Sequence, residues 1–108
     1  MDIRMAKHEN DDGSYEVYFV GLKHWDEFDM LLKFLEEDYG CEILLNIGAV
    51  YLRKAELLCN DTHFILMYDD MLGNYFYTED ATLVPFLEQL AQDVINSIKQ
   101  KLREKGPS

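Results

Sequence analysis

From Ala55 to Ile98 the chain contains no Lys and no Arg, while the same stretch carries Glu56, Asp61, Asp69, Asp70, Glu79, Asp80, Glu88 and Asp93. Over all 108 residues, 10 basic residues face 21 acidic ones, and the formal net charge is −11. A surface this poor in cations repels phosphate backbones, which excludes direct nucleic-acid binding and favours basic partners. Apolar runs are also short. None reaches the ~20 residues needed to span a bilayer, so no membrane role is expected. The segment before Asn10 has no apolar centre and does not read as a signal peptide, which points to a cytoplasmic protein. Two cysteines only, Cys41 and Cys59, with no C-x-x-C spacing and no histidine arranged around them, fit free thiols in a reducing compartment better than a disulfide framework.

Chemical motifs are equally scarce. The glycines are scattered as turn residues, with no phosphate-cradling loop. His8, His24 and His63 share no metal-ligand spacing, and no cofactor or metal site is expected. Asp69-Asp70-Met71-Leu72-Gly73-Asn74 lacks the alternating oxygens and closing Glu of a calcium loop. Ser14 and Ser97 have no nucleophile-elbow setting, and Cys59 beside His63 reads as packing rather than a nucleophile. The expectation is a protein without catalysis. An enzyme using His63 and Asp61 is the least favoured alternative.

What is present is an α+β pattern with 48 % apolar residues, enough for one domain with a core. Residues 1–13, polar from His8 to Gly13, are expected to be loose, and 104–108 to fray. Tyr15 to Val20 alternates as a strand. A helix is expected from about His24 to Asp38, with Trp25, Phe28, Leu31, Leu32 and Leu35 as its apolar stripe and Gly40 as its left-handed cap. Four strands follow: Cys41–Leu45, Val50–Leu58, Thr62–Tyr68 and Asn74–Thr78, joined by short connections that include a turn at Asn46-Ile47-Gly48. A last helix spans about Thr82 to Arg103, with Pro85 confined to its first turn. The order β-α-β-β-β-β-α predicts a single antiparallel sheet with both helices on one face.

A meander of these strands brings Glu36, Glu37, Asp38, Glu42, Asp61, Glu79 and Asp80 to one rim, with Glu9, Asp11 and Asp12 approaching it. The opposite rim is expected to be mixed, with Asp26, Glu27, Asp69 and Asp70 beside the basic end of the last helix. Glu36, Glu37 and Asp38 stand at a helix C-terminus, where the macrodipole disfavours anions by about 0.3–1 kcal/mol each. Tyr75 and Tyr77, or else Phe76, must face away from the helices; tyrosines beside carboxylates suit a basic partner.

In size, acidity, tyrosine content and α/β layout the whole chain resembles the immunity proteins of bacterial contact-dependent growth inhibition and other polymorphic toxin systems. The segments nearest to signatures are Phe34-Leu35-Glu36-Glu37-Asp38-Tyr39-Gly40 and Asp69-Asp70-Met71-Leu72-Gly73-Asn74-Tyr75-Phe76. The resemblance implies a monomer that forms a tight one-to-one complex with a basic toxin domain, most plausibly a nuclease, and performs no chemistry itself. The alternative is a small acidic secretion chaperone or adaptor, a homodimer that would use Ile95 with Val94 and Ile98 as its contact stripe.

Overall fold

The computed structural model describes residues 2–105. Its elements are β1 (Arg4–Glu9), β2 (Tyr15–Val20), α1 (Trp25–Tyr39), β3 (Glu42–Gly48), β4 (Leu52–Cys59), β5 (Thr62–Asp69), β6 (Gly73–Thr78), a single 3-10 turn (Ala81–Leu83) and α2 (Val84–Lys105). All six strands form one antiparallel sheet in the order β1-β2-β6-β5-β4-β3. Both helices cover the same face, giving a two-layer α+β fold in a single domain.

The expected strand-helix-meander-helix order is therefore present, with one addition. The N-terminal segment expected to be loose supplies β1, paired along its whole length with β2 from Arg4↔Val20 to Glu9↔Tyr15. Its polar sequence hid it because an edge strand buries only part of one face. Met5 leans on the core, while Arg4, Lys7, His8 and Glu9 are exposed. At the other terminus α2 continues to Lys105, beyond the expected fraying at 104, and 106–108 lie outside the described residues.

Period-two alternation sorts the strands. Val17, Phe19, Ala55, Leu57, Phe64, Leu66 and Phe76 point at the helices and are buried. Phe76 is their hub, meeting Phe19 at 5.1 Å and Phe64 at 5.4 Å between ring centroids, both edge to face. Leu31, Leu32 and Leu35 of α1 and Leu87, Ala91, Val94 and Ile95 of α2 close this core.

Local chemistry fixes the element ends. The Glu27 carboxylate accepts the His24 N–H at 2.8 Å and starts α1. Gly40, at φ 67°, ends it, and the Cys41 N–H closes onto the Leu35 carbonyl at 3.0 Å. Asn60 and Asp61, at φ 50° and 68°, form the two-residue turn between β4 and β5 with left-handed geometry at both positions.

The turn expected at Asn46-Ile47-Gly48 is instead strand. β3 runs on to Gly48, and the chain reverses through Val50-Tyr51, closed by the Ala49 N–H on the Leu52 carbonyl at 2.8 Å. Gly48, at φ 135°, allows this late reversal: a Cβ there would lie 2.3 Å from the Leu52 carbonyl oxygen.

Candidate functional site

The strand order brings the start of β3, the β4–β5 turn, the end of β6 and the β1–β2 turn to one end of the sheet, through the registers Glu42↔Leu58, Cys59↔Thr62 and Glu9↔Tyr15↔Thr78. Six strands at ~4.8 Å spacing make this rim about 24 Å wide. Glu9, Asp11, Asp12, Glu42, Asp61, Glu79 and Asp80 lie along it, with Glu36, Glu37 and Asp38 at the adjoining end of α1. All are exposed. Among the described residues none of them forms an ion pair; the four ion pairs involve Asp2, Glu88, Asp29 and Glu56.

Several of these carboxylates also have local work. Asp80 accepts the Thr82 N–H at 2.9 Å and hydroxyl at 2.6 Å, capping the turn into α2, and its carboxyl is held below the usual range by those bonds. Asp12 does the same for Ser14, with the same effect on its carboxyl. Glu79 accepts from the Tyr77 hydroxyl at 3.2 Å. Asp61 satisfies a left-handed turn position. Glu36, Glu37, Asp38 and Glu42 accept no side-chain hydrogen bond among the described residues, and α1 has no basic residue in its last turn.

Two expectations about charge placement change. The basic end of α2 does not form the opposite rim. Lys101 lies over the Phe34 ring at 4.2 Å, and with Lys33, Glu37 and Asp38 it lines a groove of about 610 Å³ between the helices, floored by Met30, Phe34, Ile98 and Leu102. Glu37 and Asp38 therefore share their surroundings with two cations, whereas Glu42, Asp61, Glu79 and Asp80 line no part of that groove.

The opposite end of the sheet keeps the expected acidic residues, with Asp26 and Asp70 exposed, but it also carries an apolar patch. Tyr51 and Val50 are each 68 % exposed and Met71 is 88 % exposed, with Leu72 and Trp25 open beside them. Trp25, Ile47 and Val50 share a shallow hollow with Arg53, and the Asp70 N–H bonds the Tyr51 carbonyl at 3.0 Å, tying the two hairpin turns together. Trp25 thus departs from the stripe expected of α1; it sits at the first helical position, beyond the edge of the core. The opening Asp69 is consumed by its own turn, accepting the Met71 and Leu72 N–H groups at 2.8 and 3.2 Å.

On the face away from the helices Tyr75 and Tyr77 project as expected, and Phe76 faces the core. They are not equivalent. Tyr75 is only 6 % exposed, packed beside Tyr18 at 5.0 Å between centroids. Burial, together with Glu16 and Asp69, pushes its hydroxyl pKa up to about 12. Tyr77 is half-buried and reaches the acidic rim through Glu79. Of the two, Tyr77 is the more exposed.

The groups weighed for chemistry stay apart. Asp61 and His63 are both exposed at the start of β5, with no side-chain hydrogen bond between them. Among the described residues no three His, Cys, Asp or Glu side chains converge as a metal site. Cys41 and Cys59 are free and buried side by side; burial and the Cys59 thiol push Cys41 up to about 12, and Cys59 Sγ donates to the Tyr39 carbonyl at 3.4 Å. The stripe proposed for a chaperone dimer is also closed: Val94 and Ile95 are fully buried, and Ile98 nearly so. No described helix is long and apolar enough to cross a membrane.

The apolar patch and the β3 edge were missed by reading the sequence. Their signal is the absence of any charge from Ile43 to Leu52, in a chain where 29 % of residues are charged. No family model, characterised protein or solved structure matches this chain.

Proposed function

We propose that this chain is a binding protein that captures and neutralises a basic protein domain, in the manner of the immunity proteins it resembles, with a nuclease toxin as the best-fitting class of target. A nuclease needs cations to hold phosphate, and the acidic rim offers those cations a competing surface. The observation that carries the reading is the rim itself: Glu42, Asp61, Glu79 and Asp80 gathered from three separate chain segments, exposed and without ion pairs among the described residues. A chain segregating this much unpaired charge sacrifices some stability to self-repulsion, and gains electrostatic steering of roughly 10- to 1,000-fold in association rate.

The target to test is the basic C-terminal domain of any exported protein encoded immediately upstream. Surface plasmon resonance should give an on-rate that falls steeply between 50 and 500 mM NaCl. The variant E42K/D61K/E79K/D80K should lose most of that rate while keeping its circular dichroism spectrum. An unchanged on-rate for this variant, or one indifferent to salt, would remove the rim from the mechanism.

A further inference from the structure

We infer that β3 is a self-pairing edge, through which two copies of this chain join antiparallel into one continuous sheet. The sheet has two edges, and they are built differently. β1 carries Arg4, Lys7, His8 and Glu9, the kind of charged edge that blocks strand addition. β3 carries Glu42 alone, and from Ile43 to Leu52 every residue is uncharged. Leu44, Leu45 and Ile47 are exposed along it, and Val50, Tyr51 and Leu52 are exposed where the chain turns into β4. Natural sheets rarely leave an edge of this length apolar and unguarded.

The backbone says what kind of occupant fits. The hydrogen bond from Ala49 to the Leu52 carbonyl sets the alternation: Leu45 and Ile47 turn their N–H and C=O groups to β4, and Asn46 and Gly48 turn theirs outward. Outward amides need hydrogen-bonding partners, which a lipid surface cannot supply. A basic partner has little to hold here, because the one charge of the edge, Glu42, stands at its far end.

A second copy is self-complementary. With a two-fold axis at Asn46, Leu45 of one copy lies opposite Ile47 of the other, and the reverse, on the face away from the helices. Leu44, at the bulge between Ile43 and Leu45, lies opposite Gly48, which has no side chain of its own to oppose it. No like charges are opposed anywhere in this register. Antiparallel pairing also sends the two acidic rims to opposite ends of the joined sheet, so the charge of −11 on each copy is kept apart. The apolar patch of each copy is brought toward the start of β3 in the other.

The inference does not depend on the proposed toxin target, and its test uses the full chain alone. Sedimentation equilibrium from 1 to 500 µM should show a shift from 12.7 kDa to twice that mass, with Kd on the order of 10 µM for a narrow edge contact. Ile47→Lys should hold the protein monomeric, and so should Asn46→Pro, since proline is tolerated where an edge N–H faces outward. Lys7→Ala, on the other edge, should leave the dimer intact. Hydrogen exchange should show concentration-dependent protection of the Asn46 and Gly48 amides. A monomer at 500 µM overturns the inference. So does a dimer that survives both β3 variants with their circular dichroism unchanged, or protection that appears in the groove between α1 and α2 instead.

Discussion

Arg53 holds the corner where α1, β3 and β4 meet, and the size of its contribution can be worked out contact by contact. Its Nη1 bonds both Asp29 carboxylate oxygens at 2.9 Å, its Nη2 bonds Asn46 Oδ1 at 3.1 Å, and its guanidinium carbon lies 4.5 Å from the Phe28 ring centroid. The ion pair looks dominant but is not. Asp29 is 55 % exposed, so that pair is worth about 0.2–1 kcal/mol, and losing Arg53 leaves no buried orphan charge. The stacking over buried Phe28 is worth about 1–2 kcal/mol, since the arginine side chain is only 19 % exposed. Arg53→Ala should therefore cost about 2 kcal/mol, or roughly 8–16 °C in Tm for a domain of this size. Arg53→Met keeps an adaptable apolar stem over the ring and should cost about half as much. Asp29→Asn should cost less than about 1 kcal/mol. Urea melts followed by circular dichroism give the global values, and emission from Trp25, the single tryptophan, reports on the same hollow. If Asp29→Asn proves as damaging as Arg53→Ala, the ion pair is the main contributor and the reasoning from exposure fails.

Phe76→Ala, which empties the hub of the core, should cost about 3–5 kcal/mol, against less than about 1 kcal/mol for Tyr77→Ala on the open face; similar values for the two would place the core wrongly. Alkaline pH should destabilise the fold. Tyr75 ionises near 10 when unfolded but only at about 12 when folded, and Cys41 near 9 and at about 12, so stability is complete below pH 9 and is lost as pH climbs toward 12. Urea midpoints at pH 8, 10 and 11 check this, and Tyr75→Phe should flatten part of the slope; a pH-independent midpoint would contradict it. The two proposed contacts should answer salt with opposite signs: capture of a basic target weakens as NaCl rises, while the β3 dimer tightens as repulsion between two acidic copies is screened.

Much of the fold was legible because its local rules agree with one another. Phe28, Leu31, Leu32 and Leu35 at helical spacing, Gly40 as a stop, Asn60-Asp61 as a two-residue turn and the alternation of Tyr15 to Val20 each dictate the element they occupy. The acidic rim followed because the ends of a meander are fixed by its order. β1 was not legible. Arg-Met-Ala-Lys-His-Glu has only one side chain that leans on the core, and its register comes from β2, a neighbour its own sequence does not specify. Trp25 misled for a related reason: helical spacing assigns a residue to a face of the helix, but only the point where the helix leaves the sheet decides whether that face is still covered.

The open edge was hidden for a deeper reason. Ile43 to Leu52 has the composition of a strand buried on both sides, and in the middle of the sheet the same residues would need no explanation. What makes them a surface is the strand order alone, which puts β3 outermost while β1, with its charged side chains, takes the other edge. Composition therefore conveys the two surfaces unequally. Acidic residues are exposed almost wherever they fall, so their gathering on one rim follows from topology by simple bookkeeping of strand ends. Apolar residues are informative only when they are exposed, and exposure is a property of the assembled sheet. The acidic rim lies across the strand ends and the apolar edge lies along a strand, so they meet only at Glu42. That is why one small domain can carry both a charged contact and an apolar one without either blocking the other.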